Sequence, residues 1–192
     1  MYDQLQIFTA DYISLSSAEW GDILPYFKLV NIAKSDFLIR EGQTSSDIYF
    51  INSGLFRIFY LKDGIETSRY FASENEFATT LTSFLTQQPS FENMQALENS
   101  SLLKLHFDSL QLIYKRHPVW ESFFRQLLQE AYLGMAKRIE SFITKSAEER
   151  YSDFIKLNPH LLQRVPQQYI ATYLGITPVS LSRIRGQISK TH

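Results

Sequence analysis

The chain of 192 residues has no cysteine. That excludes disulfides, thiolate zinc sites, iron–sulfur clusters and cysteine nucleophiles, and it suits a cytoplasmic protein. Long hydrophobic runs are missing too: none approaches the roughly 18 residues that a membrane-spanning helix needs. The opening stretch, MYDQLQIFTADYISL, lacks the basic and apolar regions of a signal peptide. Catalytic motifs are equally scarce. There is no Gly-x-Ser-x-Gly, no His-Glu-x-x-His and no phosphate-cradling glycine loop. Carboxylates are scattered rather than paired, and Glu148-Glu149-Arg150 reads as the solvated start of a helix. No enzyme, metal site or cofactor is expected on these grounds. A cupin-like metal centre needs clustered histidines, and only His106 falls in the β-rich region. Haem held by His106 or His117 is the other option, but a lone histidine at a strand end or before a proline is far more often structural.

Acidic residues are absent from one place. After Asp153 there is no carboxylate side chain, while Lys156, Arg164, Arg183, Arg185 and Lys190 remain. Residues 1–107 hold 13 acidic against 7 basic residues, a net −6, whereas residues 108–192 hold 7 against 12, a net +5. A positive field at one end of an otherwise acidic chain suits a polyanion bound there. The same pattern also arises where a short surface segment simply has no acids.

What is present is core material: 44% of residues are apolar and 15 are phenylalanine, which argues against disorder. Ser16-Ser17-Ala18-Glu19 is a capping box, followed by Trp20, Ile23, Leu24 and Phe27 at helical spacing. From Phe27 to Phe107 the pattern shifts to short β-type runs. Ile48–Ile51, Leu55–Leu61 and Ile65–Phe71 are separated by Asn52-Ser53-Gly54 and Lys62-Asp63-Gly64, which favour tight hairpins. Further strands are expected near Leu29–Ala33, Phe37–Arg40, Met94–Glu98 and Leu102–His106, and many short strands at regular spacing imply a sandwich or roll.

Helical spacing returns at Asp108, with a break at His117-Pro118, because a residue before proline is pushed out of the α region. From Val119 a long helix follows, whose apolar stripe includes Phe124, Leu128, Ala131, Met135, Ile139 and Phe142. A stripe so wide is read as packing on its own domain along one side and on a second copy along the other. A helix buried within a monomer is the alternative. A shorter helix is expected over Ala147–Leu157, ended by Asn158-Pro159.

The last 32 residues carry the sharpest signal. Gln167–Leu174 predicts a helix with small Ala171 where a second helix must pass closely, and Gly175 sits at the turn. Thr177-Pro178 then starts a second helix with a hydroxyl cap and proline at its first position. Gly175, Leu181 and Ile184 fall 4, 10 and 13 residues after Ala171. Together these features specify a helix-turn-helix, with Val179, Ser182 and Arg183 on the outer face of the second helix. An ordinary helical hairpin would not account for an outer face that is only neutral polar or basic apart from Val179.

In this order the elements resemble the Crp–Fnr family of transcription regulators. IREGQTSSDIYFINSGLFRIFY is similar to that family's sensor signature, and IATYLGITPVSLSRI to its DNA-binding motif. The resemblance implies an α+β chain: a jelly-roll (double-stranded β-helix) sensor over 1–107, a linker and dimerisation helix over 108–144, and a helix-turn-helix domain over 145–192. It also implies a cytoplasmic homodimer on palindromic double-stranded DNA near promoters, with RNA polymerase as a further partner. The sequence stops at SKTH, so the β-hairpin wing of most members is expected to be lacking.

Residue by residue, the resemblance assigns base reading to Val179, Ser182 and Arg183. Val179 stands where members often carry glutamate, which changes the expected operator. Gln168, Thr177, Ser180 and Arg185 are expected on the DNA backbone. In the sensor, Glu76 survives from the cyclic-nucleotide cassette, but its glycine is Asn75, and no arginine lies between Ala72 and Ala96. A buried phosphate without its counter-charge is costly. Cyclic AMP is therefore not the expected effector. The effector is either absent or some other small molecule, for which Glu76, Arg57 and Arg69 are the candidate pocket residues. The competing function is a small-molecule-binding signalling module whose helix-turn-helix contacts protein instead of DNA.

Overall fold

Strand-forming alternation begins after two short helices, α1 (Asp3–Ala10) and α2 (Ser17–Ile23). The strands are β1 (Lys28–Ile32), β2 (Phe37–Ile39), β3 (Asp47–Ser53), β4 (Phe56–Lys62), β5 (Ile65–Ala72), β6 (Phe77–Ala78), β7 (Asn93–Ala96) and β8 (Ser100–His106), with helix α3 (Leu81–Thr86) between β6 and β7. Helices α4 (Phe107–Arg116), α5 (Pro118–Thr144), α6 (Ala147–Leu157), α7 (Gln167–Tyr173) and α8 (Pro178–Ile188) complete the chain. This computed structural model describes residues 1–188. Lys190 and the final residues on which the expectation of a missing wing rests lie outside the described residues. No helix among the described residues is long and apolar enough to cross a membrane.

The chain divides into two compact units: Met1–Ile58 with Phe71–Glu130, and Phe59–Tyr70 with Ala131–His192. The division differs from the three sequence-based segments, because α5 contributes to both units and the distal part of the β4–β5 hairpin groups with the later helices.

In the first unit two four-stranded sheets run in the orders β1-β8-β3-β6 and β2-β7-β4-β5. Strand β8 pairs antiparallel with both β1 and β3, placing Leu102 opposite Val30 and Ile51, and Leu103 opposite Leu29 and Phe50. Alternation sends Tyr49, Ile51 and Leu102 into the apolar cluster that also holds Phe56, Ile58 and Met94 of the facing sheet. It sends Ile48, Phe50, Leu103 and Leu105 to the other side, into a cluster with Leu110, Trp120 and Phe123 of the helices. A sheet covered on both faces needs strands apolar at every position, which is why IYFI reads as an unbroken run. Two-sheet packing with α5 beyond it is the expected α+β roll.

The turns follow their chemistry. Asp63 and Gly64 both have positive φ, 53° and 78°, the pattern a two-residue hairpin demands. Ser16 and Ser146 each form a capping box, with Glu19 and Glu149. Three elements lacked a sequence signal. α1 has no capping side chain at Tyr2. α3 ends on Gln87, whose left-handed φ of 53° is not marked by a glycine. β6 is only two residues long.

Helix α5 changes character along its length. Its first turns bury Trp120, Phe123 and Phe124 in the helix-side core, where Trp120 meets Trp20 edge-on at 5.7 Å and Phe123 meets Tyr12 at 5.4 Å. Such pairs contribute about 0.5–1.5 kcal/mol beyond area burial. This corrects the seam expected from sequence at its first position. Phe124 is 5% exposed and packs on Phe77 and Tyr114, so it has no face for a second copy. Leu128 is half-buried, and from Ala131 onward the stripe opens to solvent.

Candidate nucleic-acid interface

The second unit builds a helix-turn-helix from α7 and α8, which pack on each other. Ile170 and Ala171 of the first helix, Leu174 just past its end, and Leu181 and Ile184 of the second helix are all buried, Ala171 completely. Between them the chain makes a Schellman turn: Gly175 N–H donates to Thr172 O at 3.2 Å and Ile176 N–H to Ala171 O at 3.0 Å. Gly175 takes φ +69°, and a Cβ built on it would lie 2.7 Å from Cε1 of Phe142. Both the conformation and the close approach therefore demand glycine. Thr177 Oγ1 accepts from Ser180 N–H at 3.1 Å, the hydroxyl cap expected for α8.

Burying Leu181 and Ile184 turns the opposite face outward. Val179 is 61% exposed, and Ser182 and Arg183 are exposed beside it at positions three and four residues on. One helical face thus presents an aliphatic, a hydroxyl and a guanidinium group. Arg185 is also exposed, Thr177 is exposed at the start of α8, and Ser180 is half-buried, its hydroxyl 3.0 Å from that of Thr177. Gln168 is exposed in the first turn of α7. The seven sequence-nominated residues therefore lie on α7, α8 and their junction.

Supporting residues were not visible in the sequence. Arg150, on α6, donates through Nε and Nη2 to Leu174 O at 3.2 and 3.0 Å, and through Nη1 to Lys145 O at 2.7 Å. Arg138, on α5, donates through Nη2 to Tyr173 O at 2.7 Å. Two guanidinium groups thus satisfy the last carbonyls of α7, where the helix dipole also favours positive charge. Both lie over the Phe142 ring, at 5.0 Å for Arg138 and 4.8 Å for Arg150. Phe142, assigned to the dimer stripe from sequence, packs on this turn while staying 41% exposed. Nothing in linear spacing pairs residues 138 and 150 with carbonyls 35 and 24 positions away.

The sensor nominees are dispersed. Arg57 of β4 is fully buried, and its Nη2 donates to Gln95 Oε1 at 3.3 Å. Glu76 is half-buried, its Oε1 accepting from Ser73 Oγ at 3.4 Å. Arg69 belongs to the second unit, where its charge is felt by Arg138. The three do not fall in one compact unit. The segment holding Ser90 and Glu92, within the arginine-free stretch, is tied to the loop before β3, where Gly42 N–H donates to Ser90 O at 2.8 Å and Ser90 N–H to Gln43 O at 2.9 Å. Ser90 Oγ donates to Glu92 O at 2.9 Å and accepts from Glu92 N–H at 3.0 Å. Among the described residues no group of three or more His, Asp or Glu could hold a metal ion.

Residues 29–117 match the family model of the cyclic nucleotide-binding domain. A sequence comparison with curated proteins gives no match. Solved structures match over nearly the whole length. CooA from Carboxydothermus hydrogenoformans, as a variant, is 16% identical at a TM-score of 0.73, covering 97% of this chain and 84% of its own. FixK2 from Bradyrhizobium japonicum is 17% identical at 0.75, covering 86% and 85%. A transcriptional regulator assigned to the Crp/Fnr family from Eubacterium rectale is 16% identical at 0.72, covering 94% and 88%. At such identities the likeness concerns the fold.

Changing Gly175 to Ala tests the turn. The left-handed φ and the Phe142 ring both oppose a methyl group, so Gly175→Ala should destabilise by more than about 1 kcal/mol. In a double-mutant cycle Phe142→Ala should relieve the steric part alone, leaving a coupling of about 0.5–3 kcal/mol. Thermal melts of the four proteins measure both. An unchanged melting temperature for Gly175→Ala would show that the turn relaxes without cost.

Proposed function

From the match of residues 29–117 to the cyclic nucleotide-binding domain model and the fold shared with solved regulators, we propose that the protein is a dimeric, sequence-specific DNA-binding transcription regulator that does not respond to cyclic AMP. The observation that carries this reading is α8. Its buried face anchors it through Leu181 and Ile184, and its outer face offers Val179, Ser182 and Arg183 on a helix pair that holds no acidic residue. A free helix face of that kind suits the major groove, where an arginine spans O6 and N7 of guanine. Val179 supplies an apolar contact of the sort a thymine methyl accepts. Thr177, Ser180, Gln168 and Arg185 lie at the rim of that face and are assigned to phosphates.

Dimerisation is supported by the second half of α5. Tyr132, Leu133, Met135, Ile139 and Ile143 are 40–78% exposed. An apolar stripe of that length left in water calls for cover, and a second α5 in the same position covers it symmetrically. The unmodified protein is expected to sediment as a dimer at micromolar concentration. Met135→Glu with Ile139→Glu should give a folded monomer, since both side chains are exposed in the single chain. A monomer for the unmodified protein would sink the seam.

Indifference to cyclic AMP rests on the cassette, which has no arginine between Ala72 and Ala96. Calorimetric titration with cyclic AMP should give no binding heat, and micromolar binding would reverse this part of the reading.

Selection of bound sites from random duplexes tests DNA recognition as a whole. On the selected site, Arg183→Ala should cost about 1–3 kcal/mol and relax preference at one position per half-site. Gln168→Ala should weaken specific and non-specific duplexes alike, leaving specificity and the salt slope nearly unchanged. If Arg183→Ala weakens all duplexes equally, that residue contacts the backbone and the groove assignment of α8 is wrong.

A further inference from the structure

Within the second unit the β4–β5 hairpin touches the supporting helix of the helix-turn-helix through a small polar cluster. Ser68 of β5 is 1% exposed. Its N–H donates to Thr172 Oγ1 at 3.2 Å, and its hydroxyl lies 3.1 Å from the same oxygen. Thr172 Oγ1 is also 3.1 Å from Tyr169 O within α7. Across this pair lies Arg138 of α5. Its Nη2 donates to Tyr173 O at 2.7 Å and, more weakly, to Ser68 O at 3.4 Å. The guanidinium stacks on Tyr173 at 3.8 Å and sits over Phe142 at 5.0 Å. One planar cation therefore joins three elements: the hairpin, α5 and the end of α7.

Burial lowers the pKa of Arg138 from arginine's ordinary value, the Tyr173 contact opposes this, and Arg69 and Arg150 lower it further. Holding such a cation out of water among like charges requires compensation from its carbonyl partners and rings. A lysine in its place would offer a point charge rather than a planar fork. The recognition face itself is not covered by this cluster, because Val179, Ser182, Arg183 and Gln168 all remain exposed. The cluster thus acts on the orientation of the helix-turn-helix rather than on access to it.

We propose that Arg138 is a positioning residue for DNA recognition: with Ser68 and Thr172 it clasps the helix-turn-helix to α5 and to the β4–β5 hairpin, and so sets the relative placement of the two recognition helices in a dimer. The proposal rests on the DNA-binding reading above and adds its geometry. Met135 and Ile139, on the proposed seam, flank Arg138 on the same helix. A rigid join at Arg138 carries the dimer axis to α7 and α8. A loose join leaves each recognition helix intact but spreads its orientations. The second half-site is then met at a lower effective concentration, while binding to a single half-site is barely altered.

The experiment uses the full chain and two probes: the duplex that the unmodified protein selects from random sequence, and the same duplex with one half scrambled. Arg138→Ala should weaken binding to the intact site by on the order of tenfold or more and to the half-scrambled site by less than about twofold. Thr172→Val, which keeps side-chain volume and removes only the hydroxyl, should shift in the same direction by a smaller factor, guarding against a folding defect in Arg138→Ala. Hydrogen exchange on the free protein supplies a readout that needs no DNA. The Ser68 amide should exchange faster in both variants by about tenfold, with α4 and β8 unchanged. Equal weakening of both duplexes, or none, overturns the clasp, as does unchanged exchange at Ser68. If the unmodified protein binds no duplex, the DNA reading fails instead, and exchange at Ser68 decides the clasp alone.

Discussion

A helix that is apolar along its whole length but buried along only part of it must find cover for the rest, and α5 is in that position. Its first turns place Trp120, Phe123 and Phe124 in a core shared with Phe77, Trp20 and Phe27. Beyond Ala131 the same stripe faces water at Tyr132, Ile139 and Ile143. The contrast follows from what packs beside the helix. Early in α5 the two-sided sheet offers Phe50 and Leu103 as partners. Later, the neighbouring turn takes up Phe142 and Arg138, while Met135, Ile139 and Ile143 stay exposed.

The helix-turn-helix shows how polar groups are settled before a face is left free. A seven-residue helix such as α7 has more orphan backbone groups than internal hydrogen bonds. Its carbonyl end is closed by the Schellman turn, by Arg150 on Leu174 and by Arg138 on Tyr173. The following helix receives the Thr177 cap. With these needs met from behind, Val179, Ser182 and Arg183 stand exposed on the outer face of α8.

Much of this was legible in the chain. Asp63-Gly64 announced its hairpin because only certain residues accept two successive positive φ angles. Ser16 with Glu19 and Thr177 with Pro178 announced helix starts because orphan N–H groups need local acceptors. Elements without such local chemistry were silent. α1 is held by burial of Leu5 and by Phe8 against Phe50, contacts with residues far along the chain. α3 and β6 are too short for any periodicity to register.

The sequence by itself determined the order of elements, the helix-turn-helix with its glycine, and the outward set at Val179, Ser182 and Arg183. Those follow from periodicity, capping and backbone sterics, which act over a few residues. Tertiary structure alone decided which part of the α5 stripe is exposed, burying Phe124 and turning Phe142 toward Gly175. It also decided that Arg138 meets Ser68, 70 positions earlier, and Tyr173, 35 positions later. A guanidinium with several donors can satisfy carbonyls from any element brought within reach. No spacing rule encodes which ones, because that choice is made by the packing of whole helices and strands.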